Sequence, residues 1–143
     1  MKKFPSIITF AAILLTFCGC AAPEKSSPPR DGELAGTFWR PVKPMNYTYI
    51  EFTGDGRMVG STGRNRFFGP VAYARGKRLR LGPLAISRAP RMTETERQYE
   101  EEFISRIEAT RGYVLDGDTL TLYNEERQPV MKLLQLKPQR KQP

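Results

Sequence analysis

Between positions 37 and 136, apolar and polar residues alternate singly in one short run after another. A period of two predicts half-buried β-strands. Thr37 to Val42 is the first. From Tyr47 to Phe52, Thr48, Ile50 and Phe52 share one face, and Tyr47, Tyr49 and Glu51 the other. Thr53-Gly54-Asp55-Gly56 reads as a turn, with Arg57 to Ser61 as the return strand. Val71 to Ala74 and Arg78 to Leu81 flank Arg75-Gly76-Lys77 as a second hairpin. Leu79 and Leu81 point inward there, Arg78 and Arg80 outward, so the sheet is antiparallel and half solvated. Tyr113 to Leu115, Thr119 to Tyr123 and Val130 to Leu136 are further strands, turned by Asp116-Gly117-Asp118 and by Asn124 to Gln128.

The period changes once, from Thr93 to Thr110. Tyr99, Phe103 and Ile107 recur every fourth residue with Ile104 beside them, one apolar stripe on a helix. Thr93 with Glu96 three residues on predicts a capping box. Glu94 and Glu96 suit the positive end, and Glu102 and Arg106 form an i,i+4 pair. Glu100, Glu101 and Glu102 fan out by about 100° each, so they cannot converge on one ion and read as a solvated face. The fold class that follows is mainly β with one helix (α+β). About seven or eight antiparallel strands curl into a small barrel-like sheet closed over the helix. Trp39, Ile50, Phe52, Leu79, Leu81, Phe103, Ile107, Leu120 and Leu122 are the expected core.

The chain ends lack this patterning. Lys2 and Lys3 precede the apolar run Ile7 to Phe17, too short for the roughly 20 residues of a spanning helix but suited to a signal peptide. The run closes on Phe17-Cys18-Gly19-Cys20. This resembles the lipobox of bacterial lipoproteins, which implies that residues 1–19 are a lipoprotein signal and Cys20 the acylated first residue of the mature chain; a plain signal peptide with incidental cysteines is the alternative reading. Residues 20–33, rich in Pro, Ser and charge, form a tether that reaches roughly 35–40 Å when extended. Residues 34–136 form the domain, and 137–143 a basic disordered tail. In a host with two membranes, Ala21 in place of the aspartate that retains many lipoproteins in the inner membrane favours the outer one, with the domain facing the periplasm.

Of 143 residues none is histidine, both cysteines lie within the first twenty, and the net charge is +8. Histidine triads, histidine metal sites, zinc fingers and internal disulfides are excluded. Ser61, Thr62 and Ser87 have no histidine or cysteine to activate them, so the expectation is a protein that is not an enzyme, without metal or cofactor. Nucleic acid is not an expected partner, and the domain is expected to be monomeric. A small-ligand-binding barrel stays open as an alternative to an interaction role.

From Gly36-Thr37-Phe38-Trp39 onward the chain resembles the META domain family of HslJ-like bacterial lipoproteins. Ile50-Glu51-Phe52, the stretch Gly60 to Val71, Leu79 to Arg88, Glu100 to Ile104 and Tyr113 to Leu122 follow its order over about 100 residues. The resemblance implies a mostly antiparallel barrel-like fold, an envelope location and a link to stress tolerance, with no catalytic residues. Many relatives carry cysteine where Arg64 and Arg91 stand, and such a pair requires Cα atoms within about 7 Å. Arg64, Arg66, Arg88 and Arg91 are therefore the candidate anion-binding patch, for a lipid head group or the acidic surface of an envelope protein. Gly60 to Gly69 is read as a surface loop, with Gly63 and Gly69 as tight-turn glycines and Asn65 as a loop residue bonding its own backbone. The plainer reading of the same residues is a scattered basic surface.

Overall fold

The computed structural model describes residues 32–45 and 47–137. The signal, Cys20, almost all of the tether and all but Lys137 of the tail lie outside the described residues.

Among the described residues there are nine strands and one helix: eight strands and the helix follow the predicted order, and the short strand Ala85–Ile86 is an addition to it. They are β1 Thr37–Pro41, β2 Thr48–Phe52, β3 Arg57–Thr62, β4 Arg66–Ala74, β5 Arg78–Leu81, β6 Ala85–Ile86, α1 Glu94–Glu108, β7 Gly112–Asp116, β8 Thr119–Tyr123 and β9 Pro129–Gln135. All pairings are antiparallel, in the order β3-β2-β1-β9-β8-β7-β5-β4-β6, and a further β3–β4 pairing closes the sheet into a ring. Closure hangs on the nine-residue β4, whose first half (Arg66 to Pro70) pairs with β3 and whose second (Val71 to Ala74) pairs with β5. The ring is not a regular barrel. Between β5 and β7 the ladder narrows to one pair, Arg78 opposite Gly112. Leu79 N–H donates to the Arg111 carbonyl at 3.0 Å and Tyr113 N–H to that of Lys77 at 3.0 Å, which extends the join.

All nine expected core residues are buried in one cluster, together with Leu34, Met58, Phe67, Val71, Ile104, Tyr113, Met131 and Leu133. Trp39, Ile50, Phe52, Met58, Ile107, Leu120, Leu122 and Leu133 fill the interior with no exposed surface. Helix α1 lies against β3, β5 and β9. The Phe103 ring meets Phe67 at 5.8 Å and Tyr99 at 6.0 Å between centroids. Thr93 caps the helix with both halves of the capping box in place, and Arg106 bonds Glu102 as its spacing predicts.

Two expectations need correction. The stretch from Gly60 to Gly69 is not a loop, because β3 runs to Thr62 and β4 starts at Arg66. Phe67 is buried and Phe68 is 57% exposed, so two adjacent phenylalanines hide the alternation, and Pro70 obscures it further. The two-residue β6 is too short to carry any period. Glu100 is also not on a solvated face, since it is half buried and turned inward.

Candidate functional site

The turn between β3 and β4 is only Gly63-Arg64-Asn65. Gly63 has φ +103°, a region that favours glycine, and its N–H donates to Ser61 Oγ at 3.0 Å. Asn65 is 2% exposed, and its side chain bonds other segments rather than its own backbone. Its Oδ1 accepts from the Ala89 N–H at 2.6 Å, and its Nδ2 donates to Glu100 at 2.8 and 3.0 Å. Thr62 Oγ1 donates to the same carboxylate at 2.5 Å. Three segments distant in sequence are thus clamped by one amide: the β3–β4 turn, the 87–92 loop and the helix. Buried polar groups satisfied in this way hold one arrangement, because each freed partner would be left without water. Gly69 is not a turn residue. It sits buried in β4, where a Cβ would lie 2.6 Å from Leu84 and 2.9 Å from the Pro83 carbonyl.

The clamp sets the 63–65 turn beside the 87–92 loop. Arg64 Nη2 donates to the Arg91 carbonyl at 3.3 Å, so those two positions are neighbours. Arg66 stands at the start of β4, its N–H donating to Ser87 Oγ at 2.9 Å and its carbonyl accepting from Ser87 N–H at 2.9 Å. The four arginines do not point into one space. Arg64 turns to Glu96, its Nε 3.8 Å from the carboxylate. Arg88 and Arg91 line an open groove of about 700 Å³ with Asn65, Met92, Arg97 and Glu100. Arg66 lies outside that lining. Among the described residues, Arg66, Arg88 and Arg91 have no carboxylate within ion-pair distance.

Arg97, Glu96, Glu100 and Thr62 belong to this junction without having been foreseen. A signal existed for two of them: Glu96, Glu100 and the buried Ile104 fall at spacings of four, one column beside the apolar stripe. The Glu96 carboxyl is held below its usual range, first by the Thr93 N–H and hydroxyl and then by Arg64. Among the described residues, no group of three or more acidic, His or Cys side chains is placed to hold a metal. A second groove, of about 300 Å³, runs between Val42, Tyr99, Phe103 and Met131, with Lys43, Lys132 and Arg106 on its rim.

A family model, the META domain, matches residues 35–137. None of the curated proteins matches the sequence. Among solved structures, an NMR structure of a protein from Burkholderia xenovorans is similar over 94% of this chain and 99% of its own, at 17% identity and a TM-score of 0.58. A second NMR structure is similar over 71% of this chain and 90% of its own, at 17% identity and 0.53. A DUF4847 family protein from Bacteroides vulgatus ATCC 8482 is 22% identical with a TM-score of 0.48, and this chain spans 58% of its length. The two NMR structures share the fold, and at these identities only the fold.

Proposed function

The chain belongs to the META domain family, and from that membership we propose a non-enzymatic lipoprotein of the cell envelope with an interaction role in stress tolerance. Acylated Cys20 anchors it in the outer membrane, and the domain faces the periplasm. It engages an anionic envelope component, or an envelope protein with an acidic surface, through Arg88 and Arg91. The observation that carries this reading is the Asn65 clamp: it fixes the 87–92 loop and leaves those two guanidiniums at a groove with no ion-pair partner among the described residues. Arg66 stands beside them, and Arg64 supports the loop rather than the ligand.

Two features favour interaction over catalysis or ligand storage. Thr62 and Glu100 are a hydroxyl and a carboxylate in contact, but Thr62 is 5% exposed and Glu100 also accepts two bonds from Asn65. That is a lock rather than a nucleophile with its base. The ring is packed with side chains, whereas a storage barrel keeps its interior for the ligand. A small apolar acid would instead have to use the outer groove at Tyr99 and Phe103.

Mass spectrometry of the membrane-extracted protein is expected to find acyl groups on Cys20 and no residues 1–19. Crosslinking in cells is expected to give adducts that weaken in R88A/R91A. An unacylated chain would overturn the anchor, and an adduct pattern unchanged in the double variant would overturn the arginine surface.

A further inference from the structure

A second basic face lies where the described chain begins, and it shares no residue with the Asn65 junction. Gly32 packs against Tyr73 of β4, so close that a Cβ there would fall 2.4 Å from the ring. Glu33 next to it bonds the Lys77 ammonium, which sits 5.3 Å from the centre of the Tyr113 ring. The chain therefore enters the domain at the β4–β5 hairpin, which reads Arg75-Gly76-Lys77-Arg78.

The strand that follows continues the charge. Leu79 and Leu81 of β5 are buried, so Arg78 and Arg80 stand outward. Their cross-strand neighbours are small: Ala74 and Gly112 flank Arg78, and Ala72 lies opposite Arg80. Gly112 leaves a trough between Arg78 and Tyr123, its partner on β8, since a Cβ there would meet only the Lys77 carbonyl, at 3.4 Å. Arg111 and Arg127 stand along this trough, which measures about 450 Å³, and Val114 at its edge is 51% exposed. Of the nearby carboxylates, Glu33 is taken by Lys77 and Glu125 stands on the lining. Arg75, Arg78, Arg80 and Arg127 have no ion-pair partner among the described residues.

We propose that this face, built from Arg75, Arg78, Arg80, Arg111 and Arg127 with Tyr123 and Val114, docks the domain on the anionic phospholipid surface that holds its own anchor. The inference rests on the anchored reading above. Gly32 lies twelve residues beyond Cys20, a reach of roughly 40 Å at full extension, and it sits beside these arginines. Charges delivered so close to a phosphate layer act within its field, which decays over about a Debye length of 10 Å in 0.1 M salt. A half-buried tyrosine and an exposed valine among cations suit the zone between head groups and acyl chains, where amphipathic rings settle.

The domain carries no cysteine, so Ala74→Cys supplies a single site for a fluorophore on this face. The labelled, membrane-extracted full mature protein is reconstituted into phosphatidylcholine vesicles with or without one part in four, roughly, of phosphatidylglycerol, each carrying a head-group quencher. Quenching is expected to be strong in the anionic vesicles and weak in the neutral ones, and to fade in high salt. R78A/R80A is expected to lower the docked-to-free ratio roughly thirty-fold, at about a factor of five per arginine. Protein that fails to float with neutral vesicles indicts the anchor. Protein that floats in both but is quenched equally in both, or equally in R78A/R80A, overturns the docking face.

Discussion

Two basic regions of this domain are built on opposite plans. At the Asn65 junction the backbone is irregular, and buried polar bonds fix it: one amide holds a loop N–H and a helix carboxylate. Its arginines are interleaved with Glu94, Glu96, Glu100 and Glu101, and Arg64 and Arg97 are neutralised there. At the β5 face the backbone is a regular strand with apolar burial beneath it, and Arg78 and Arg80 owe their direction to the pleat alone. The first plan places a few charges at set positions around a groove. The second lays charge over an area with no stereochemical demand. A discrete partner suits the first and a fluid surface suits the second.

Both regions depend on one core, and removing its centre should erase the contrast. Phe103 is 4% exposed and touches Phe67 and Tyr99. Phe103→Ala is expected to cost about 3–5 kcal/mol through lost burial and the cavity left behind. Denaturant unfolding should show one transition shifted as a whole. A loss below about 1 kcal/mol would mean the helix is not seated as described.

Asn65→Ala separates the regions. It leaves the Ala89 N–H and the Glu100 carboxylate short of partners, at an expected cost of about 2–3 kcal/mol. Amide exchange should rise in residues 87–92 while Leu79 and Tyr113, whose N–H groups bridge the β5–β7 join, keep their protection. Equal loosening of both segments would show that the clamp is not local.

This split also explains what could be read from the sequence. Period-two segments such as Thr119 to Tyr123 and Arg78 to Leu81 announce strand, register face and core together, because burial on one side is repeated along the run. The helix announces its cap, stripe and ion pair for the same reason. The junction is different. Its key contacts join positions 65, 89 and 100, and no local pattern encodes a pairing 24 or 35 residues apart. Resemblance to relatives with cysteines at positions 64 and 91 brought the two loops together but could not orient the side chains. Arg64 turns away to Glu96, and Asn65, read as a turn former, is the clamp itself. The strand start at Arg66 was hidden for a local reason, the adjacent Phe67 and Phe68.

The smallest effect tests how far the helix N-terminus supports the junction alone. Thr93 accepts from the Glu96 N–H at 3.2 Å, and its own N–H and hydroxyl donate to the Glu96 carboxylate at 2.8 and 3.0 Å. Thr93→Ala removes the hydroxyl from both roles and should cost about 1 kcal/mol at neutral pH. The acid dependence has a fixed sign. Because the folded-state value of Glu96 lies below its ordinary 4.5, its ionised form adds stability above that value and loses it as the pH falls through the lower one. Part of that depression goes with the hydroxyl, so the variant has less to lose in acid. The stability gap between wild type and Thr93→Ala should therefore narrow as the pH is lowered from 7 toward 3. Urea unfolding at a series of pH values measures it. A gap constant with pH would show that the carboxylate draws nothing from the hydroxyl, and that Arg64 and the backbone alone keep Glu96 beside the loop.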